Sequence, residues 1–208
     1  MADEEFNRAD YAGVAANFAA LLDSSANERA VQTFLKRYRY IVRNALNVHA
    51  WNSVHMQPEF SLGRDYVVDF LILSEDSGGW HTVLIELESP KKRPFNKKGS
   101  PSKALAMGLA QLDEWEIWIG KNEPLFRERL SSIAEDATIR DPRTVIDKKY
   151  IVVVGRRCFF RDSDVQGRRG LYRSRDREIV SYDRLLDMAK DLDPALKASP
   201  VRKPQRQK

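Results

Sequence analysis

Two apolar runs constrain this chain more than any other feature: YVVDFLIL at residues 66–73 and HTVLIELE at 81–88, joined by SEDSGG. Runs rich in Val, Ile, Leu and Phe, bounded by Ser, Asp and Gly, read as the two strands of a hairpin. Both are apolar enough to be buried, yet the first carries Asp69 and the second carries Glu86 and Glu88. A buried carboxylate without a partner is costly. Strand side chains alternate, so Glu86 and Glu88 share one face. A turn centred on Ser77 and Gly78 sets Asp69 directly across from Glu86, with Cβ atoms roughly 4.5–5.5 Å apart. At about 5 Å and an effective dielectric near 20, two such charges repel by roughly 3 kcal/mol. A proton, a basic side chain or a divalent cation must offset that repulsion. Hard cations such as Mg²⁺ take carboxylate oxygens, backbone carbonyls and water, which a pair of acids beside a strand provides. An Arg or Lys bridging the two acids answers the same charge problem. The opposed pair alone leaves both readings open.

The surrounding chain alternates helix and strand signals. Apolar residues at helical spacing predict a helix over 10–23 and a second, continuous one from Asn27 to Leu46. Strands are expected at Ser53–Phe60, Tyr66–Leu73, His81–Glu88, Tyr150–Val154 and Glu178–Val180, with helices at Ser102–Ile119, Pro124–Ala134 and Tyr182–Leu192. This order predicts an α/β chain with a sheet flanked by helices. Residues 1–26 read as an N-terminal helix suited to oligomerisation, 27–193 as the main domain, and 194–208, KASPVRKPQRQK with its preceding residues, as a basic disordered tail.

Two polar residues on apolar helix stripes join the acids as site candidates. Glu28 shares a helix side with Val31 and Leu35, although Ser25 and Glu28 also have capping-box spacing. Gln111 lies on a stripe with Ala104, Gly108, Trp115 and Trp118, whose small members allow close approach to a sheet. A Gln facing inward there has donors and acceptors to place. Cys158 reads as a small apolar filler beside a strand. His49, His55 and His81 have no metal-ligand spacing, and one cysteine cannot build a zinc site or an internal disulfide.

The ordered set of Glu28, Asp69, Glu86-Leu87-Glu88 and Gln111-x-x-x-Trp115 resembles the PD-(D/E)XK nuclease superfamily, and more narrowly the Shedu family of bacterial anti-phage defence nucleases. The similar stretches are NERAVQTFLKRY, PEFSLGRDYVVDFLI, VLIELESPKKRPF, ALAMGLAQLDEWEIWI, YIVVVGRR and EIVSYDRLLDMA, spanning about residues 27–190. The resemblance implies a restriction-endonuclease-like sandwich with a central mixed sheet between helices. It implies Asp69, Glu86 and the Leu87 carbonyl as ligands of Mg²⁺ or Mn²⁺, Glu28 on a metal or its water, and Gln111 as an orienting group. The position usually held by Lys is Glu88 here. An acid there can ligate a second metal or take a proton, and Lys91 or Lys92 is the next candidate for general base. A homo-oligomer, as a tetramer, is also implied.

Basic residues surround these acids. Lys91, Lys92, Arg93, Lys97 and Lys98 follow Glu88 directly, and Arg156 and Arg157 head an Arg-rich stretch after YIVVV. Cations beside an acidic metal site suit a phosphodiester: they hold phosphates while the metal holds the scissile group. The net charge of +5 agrees with a polyanionic partner. The expectation is a metal-dependent DNA endonuclease of phage defence acting on phage or plasmid DNA. The alternative is a non-cleaving DNA-binding or assembly module on the same fold, kept open by Glu88. The start MADEEFNRAD lacks the order of a signal peptide, and no apolar run approaches 18 residues, so a cytoplasmic protein without a membrane span is expected.

Overall fold

The computed structural model describes residues 8–24, 27–46, 53–160, 170 and 176–194. A short 3-10 turn (Arg8–Tyr11) leads into helices α1 (Val14–Asp23), α2 (Glu28–Arg37) and α3 (Arg39–Leu46). A meander follows: β1 (Ser53–Leu62), β2 (Tyr66–Asp76) and β3 (Gly79–Leu87). Next come α4 (Lys103–Lys121), α5 (Glu123–Ala134), β4 (Ile146–Val153), β5 (Arg177–Val180) and α6 (Tyr182–Leu192). The sheet has five strands in the order β1-β2-β3-β4-β5. The first three are antiparallel and the last two join β3 in parallel. The chain is therefore α/β with a mixed sheet flanked by helices.

Two helical layers explain why the inner strands are apolar along their length. Phe70, Ile72, Val83, Ile85, Ile151 and Val153 pack under α1, α2, α3 and α6. Leu71, Leu73, Leu84, Tyr150 and Val152 pack under α4 and α5. The apolar side of α1, with Phe18 and Leu22 at its centre, is buried within this chain, next to α6. Ser102 caps α4 by accepting from the Leu105 N–H, which fixes where the basic loop ends and the helix begins.

The layering slips at one place. Val54 and Met56 of β1 belong to the first layer, whereas Phe60 and Leu62 belong to the second. The residue between them, Glu59, has φ 51. That left-handed backbone turns the next side chain to the other face. β2 slips in step: Val68 lies in the second layer and Phe70 in the first. Pairing runs through Pro58↔Phe70 and Phe60↔Val68, so Glu59 and Asp69 face each other at the slip.

Three expectations need correction. The continuous helix from Asn27 to Leu46 breaks at Tyr38, whose φ −109 and ψ 48 end α2 before α3 restarts. Phe34 and Tyr38 pack on each other and Tyr38 packs on Tyr11 at this junction. The break leaves the apolar spacing in phase, which is why the sequence reads as one helix. The cap of α2 is Asn27, which accepts from the Ala30 N–H at 3.0 Å, so the Ser25–Glu28 box is not needed. Cys158 is exposed on a 3-10 turn (Arg157–Phe160), and Phe160 fills the core there instead. The proposed tail from residue 195, the segment around Ser25 and most of the Arg-rich stretch lie outside the described residues.

Close backbone approach beside the sheet depends on Gly155. It has φ +64, and a Cβ there would lie 2.5 Å from the Lys92 carbonyl oxygen. Its N–H donates to the Ser89 carbonyl at 3.2 Å, tying the end of β4 to the start of the basic loop. Gly155→Ala is expected to lower stability by about 1–3 kcal/mol through a left-handed non-glycine residue and this backbone clash. Urea unfolding checks it: the midpoint falls while the denaturant slope stays constant.

Candidate active site

The hairpin register is the one the turn demands. Pairs run from Asp76↔Gly79 to Phe70↔Ile85, and the next step sets Asp69 across from Glu86. With Glu59 on the other side, three acids lie in a row across β1, β2 and β3. Asp69 is held from two directions. Its Oδ2 accepts from the Leu87 N–H at 2.8 Å, and its Oδ1 accepts from Gln32 Nε2. Burial raises the Asp69 carboxyl above its ordinary range, while these two donors and the Lys36 charge pull it back.

Glu86 has less relief. Burial, then the charges of Asp69, Glu88 and Glu28, push its carboxyl up to about 9. Its Oε2 is buried and has no hydrogen-bond partner among the described residues. Glu88 follows where the backbone continues the β3–β4 ladder, its N–H donating to the Val153 carbonyl at 2.8 Å. It is pushed up to about 7, first by burial and then by Glu28 and Asp69. Its Cγ lies 3.3 Å from where a Cβ on Gly108 would stand, so a glycine in α4 makes room for it. Glu28, exposed on the first turn of α2, is raised by partial burial and by Asp69. Four of the predicted acids therefore feel one another. Gln111 is half-buried on the same α4 stripe as Gly108 and hydrogen-bonds none of them.

Sequence reasoning missed four residues here. Gln32 and Lys36 follow Glu28 at i+4 and i+8, so one stripe of α2 lies over the site. That spacing was a usable signal. Lys36 Nζ pairs with Glu59 Oε1 at 2.5 Å, which places a cation beside Asp69 and holds the strained Glu59. Tyr182, the first residue of α6, gave no signal. It is fully buried and its hydroxyl has no partner. Burial and the charges of Glu28, Asp69, Glu88 and Glu86 raise that hydroxyl well above its ordinary range, so it faces the same acids.

The basic residues divide into two groups. Lys91, Lys92, Arg93, Lys97 and Lys98 are exposed on a loop fixed by its own bonds. Asn96 Oδ1 accepts from the Lys98 and Ser100 N–H groups, and the Ser102 N–H donates to the Pro94 carbonyl. Arg93 lies over the Phe159 ring. Arg156 and Arg157 line a cleft with Lys91 and Pro90, but both are engaged by acids. Arg156 pairs with Asp23 and Asp183, and Arg157 pairs with Asp187. Their charge is largely offset within the chain.

A divalent cation suits the donor chemistry: carboxylates around a buried oxygen that has no partner. Among the described residues, however, no three His, Cys, Asp or Glu side chains are gathered into a group that could hold one ion. The site is a cluster of neighbouring acids at the end of the β2–β3 ladder, with a lysine-rich loop following Glu88 in the chain.

A family model for the Shedu protein SduA, C-terminal, matches residues 25–186. The chain belongs to the Shedu family. The match includes the whole candidate site, from Glu28 on α2 to Tyr182 on α6, and membership brings the defence theme of Shedu proteins. Among curated proteins none matches the chain. No helix among the described residues is long and apolar enough to cross a membrane.

The acids give this Shedu domain a pH signature. In the unfolded chain Glu86 and Glu88 titrate near the ordinary 4.5, whereas in the fold they titrate at about 9 and about 7. Between those values the folded state binds protons that the unfolded state has released, so stability falls as pH rises. In the absence of divalent metal, the melting temperature is expected to fall steadily from about pH 5 to about pH 9. Glu86→Gln should flatten the upper half of that slope. An identical slope in this variant would mean that Glu86 is not held protonated.

Proposed function

We propose that this protein is a metal-dependent DNA endonuclease of the PD-(D/E)XK type, acting in anti-phage defence. The observation that carries the reading is the Glu86 carboxylate oxygen, buried without a partner among three other acids. Such an arrangement is costly unless it serves to take up a cation or a proton. Shedu membership and the mixed sheet between helical layers support the same reading.

In this reading Asp69, Glu86 and the Leu87 carbonyl hold Mg²⁺ or Mn²⁺, with Glu28 and Glu88 beside them. When bound, the ion activates water and offsets the charge that develops on the phosphate. The rest is the work of the chain. The Leu87 N–H and Gln32 fix the Asp69 carboxylate in one orientation. Glu88, two residues after Glu86 on the same strand face, would take a proton from the attacking water. Lys91, Lys92 and Lys97 hold phosphates flanking the scissile bond. Gln111 orients the site from α4. One observation favours the rival, a non-cleaving DNA-binding or assembly module: among the described residues, no three His, Cys, Asp or Glu side chains are gathered into a metal-holding group.

The two readings separate in one set of experiments. Supercoiled plasmid and linear duplex are incubated with Mg²⁺, with Mn²⁺ and with chelator. Cleavage is expected only with metal, and Asp69→Ala and Glu86→Ala are expected to abolish it. Metal should also raise the melting temperature of the wild type but not of these two variants. Glu88→Ala should cut the rate by roughly 10²-fold with DNA affinity retained. Retained cleavage in the Asp69 or Glu86 variant would remove the metal-site assignment. DNA binding without cleavage or metal uptake would leave the rival.

A further inference from the structure

The exposed face of α2 carries a second row of residues beside the site. Glu28, Gln32 and Lys36 face the acids, and one position further round the helix lie Arg29, Thr33 and Arg37. All three of the latter are exposed. Thr33 Oγ1 donates to the Arg29 carbonyl at 2.9 Å, which keeps its side chain down along the helix. Beyond the break at Tyr38, α3 carries a further arginine, Arg43. The Arg37 guanidinium lies over the Tyr38 ring, 5.5 Å from its centre, and that of Arg43 lies 5.1 Å from the centre of the Tyr40 ring.

Six arginines elsewhere in the fold are already engaged by acids. Arg127, Arg143, Arg156, Arg157, Arg177 and Arg184 each pair with a carboxylate. Among the described residues, Arg29, Arg37 and Arg43 pair with none. Stacking on an aromatic ring fixes the plane of a guanidinium while leaving its N–H edge free to donate. Arg29 and Arg37 are eight residues apart on one stripe, about 12 Å along the axis. That span is comparable to the width of the major groove of B-form DNA, about 12 Å.

We infer that Arg29, Arg37 and Arg43 form a phosphate-binding surface for duplex DNA, on the α2 side of the acid cluster. The inference rests on the nucleic-acid substrate proposed above. Charge complementarity argues for this occupant: Arg29 and Arg37 are exposed without carboxylate partners on the helix whose neighbouring stripe carries Glu28, Gln32 and Lys36, and Arg43 follows on α3. This surface adds to the lysine loop after Glu88 and replaces Arg156 and Arg157, whose charges are offset within the chain.

The test is fluorescence anisotropy with a labelled 30-bp duplex, about three helical turns, across a range of salt with Ca²⁺ in place of Mg²⁺. Wild type is compared with the double variant Arg29→Glu, Arg37→Glu. The control is Arg143→Glu, which reverses an arginine already paired with Asp141. The double variant should bind about tenfold or more weakly and lose about 1.8 from its salt slope, the share of two phosphate contacts. The control should bind like the wild type. An unchanged slope in the double variant, with its melting temperature intact, overturns the surface and leaves the nuclease reading to the cleavage assay. An equal loss in the control also overturns it, because net charge alone would then explain the effect. A wild type that binds no duplex overturns the surface and the DNA substrate together.

Discussion

The site depends on one contact between neighbouring strands: the Asp69 carboxylate takes the Leu87 N–H. The β2–β3 ladder is recorded as far as Phe70↔Ile85, and at the next step a side chain does what backbone does elsewhere. This substitution keeps an acid within β2, where its ladder with β3 ends, without leaving the neighbouring N–H unpaired. It fixes Asp69 against β3 and so sets its distance from Glu86 and Glu88. The slip at Glu59 serves the same end from the other side. Its left-handed backbone lets β1 and β2 change layers together, and Asp69 stands where the two alternations meet.

Around this contact the structure gathers carboxyl groups, whose repulsion and burial favour their protonated forms. Burial and then neighbouring acids raise Glu28, Glu86 and Glu88, burial raises Asp69, and Lys36 is the cation that eases Asp69. Lys36 is itself held by Glu59. The lysine loop that follows Glu88 is pinned to the end of β4 through Gly155. An acid cluster left unbalanced in this way is less stable than an apolar one of the same shape. Its persistence in a packed α/β fold fits a site that gains its balance from a bound ion and a polyanion, as the proposed nuclease function requires.

The arginines show how the same residue type serves two ends. Arg156, Arg157 and Arg184 brace α6 and the turn after β4 through Asp183, Asp187 and Glu178. Arg37 on α2 and Arg43 on α3 instead lie over tyrosine rings. An ion pair offsets a charge, whereas a ring holds it in place and leaves it available.

The sequence by itself determined the strands, the hairpin register and the acids that oppose one another. Those follow from local periodicity and turn chemistry, which act over a few residues: Ser77-Gly78 sets the turn, and the turn sets Asp69 against Glu86. It also determined the start and end of α6 and the approximate span of α4, whose stripes and caps are equally local. Tertiary structure decided the rest. The break at Tyr38 does not disturb the apolar spacing, so only the packing of Phe34, Tyr38 and Tyr11 reveals it. Gln32 reaches Asp69 across 37 residues of chain, and Tyr182 reaches the acids from the last helix. Whether Arg156 is free or paired depends on Asp23, 133 residues away. Contacts of that range arise from how layers stack, and no pattern within a single segment of sequence encodes them.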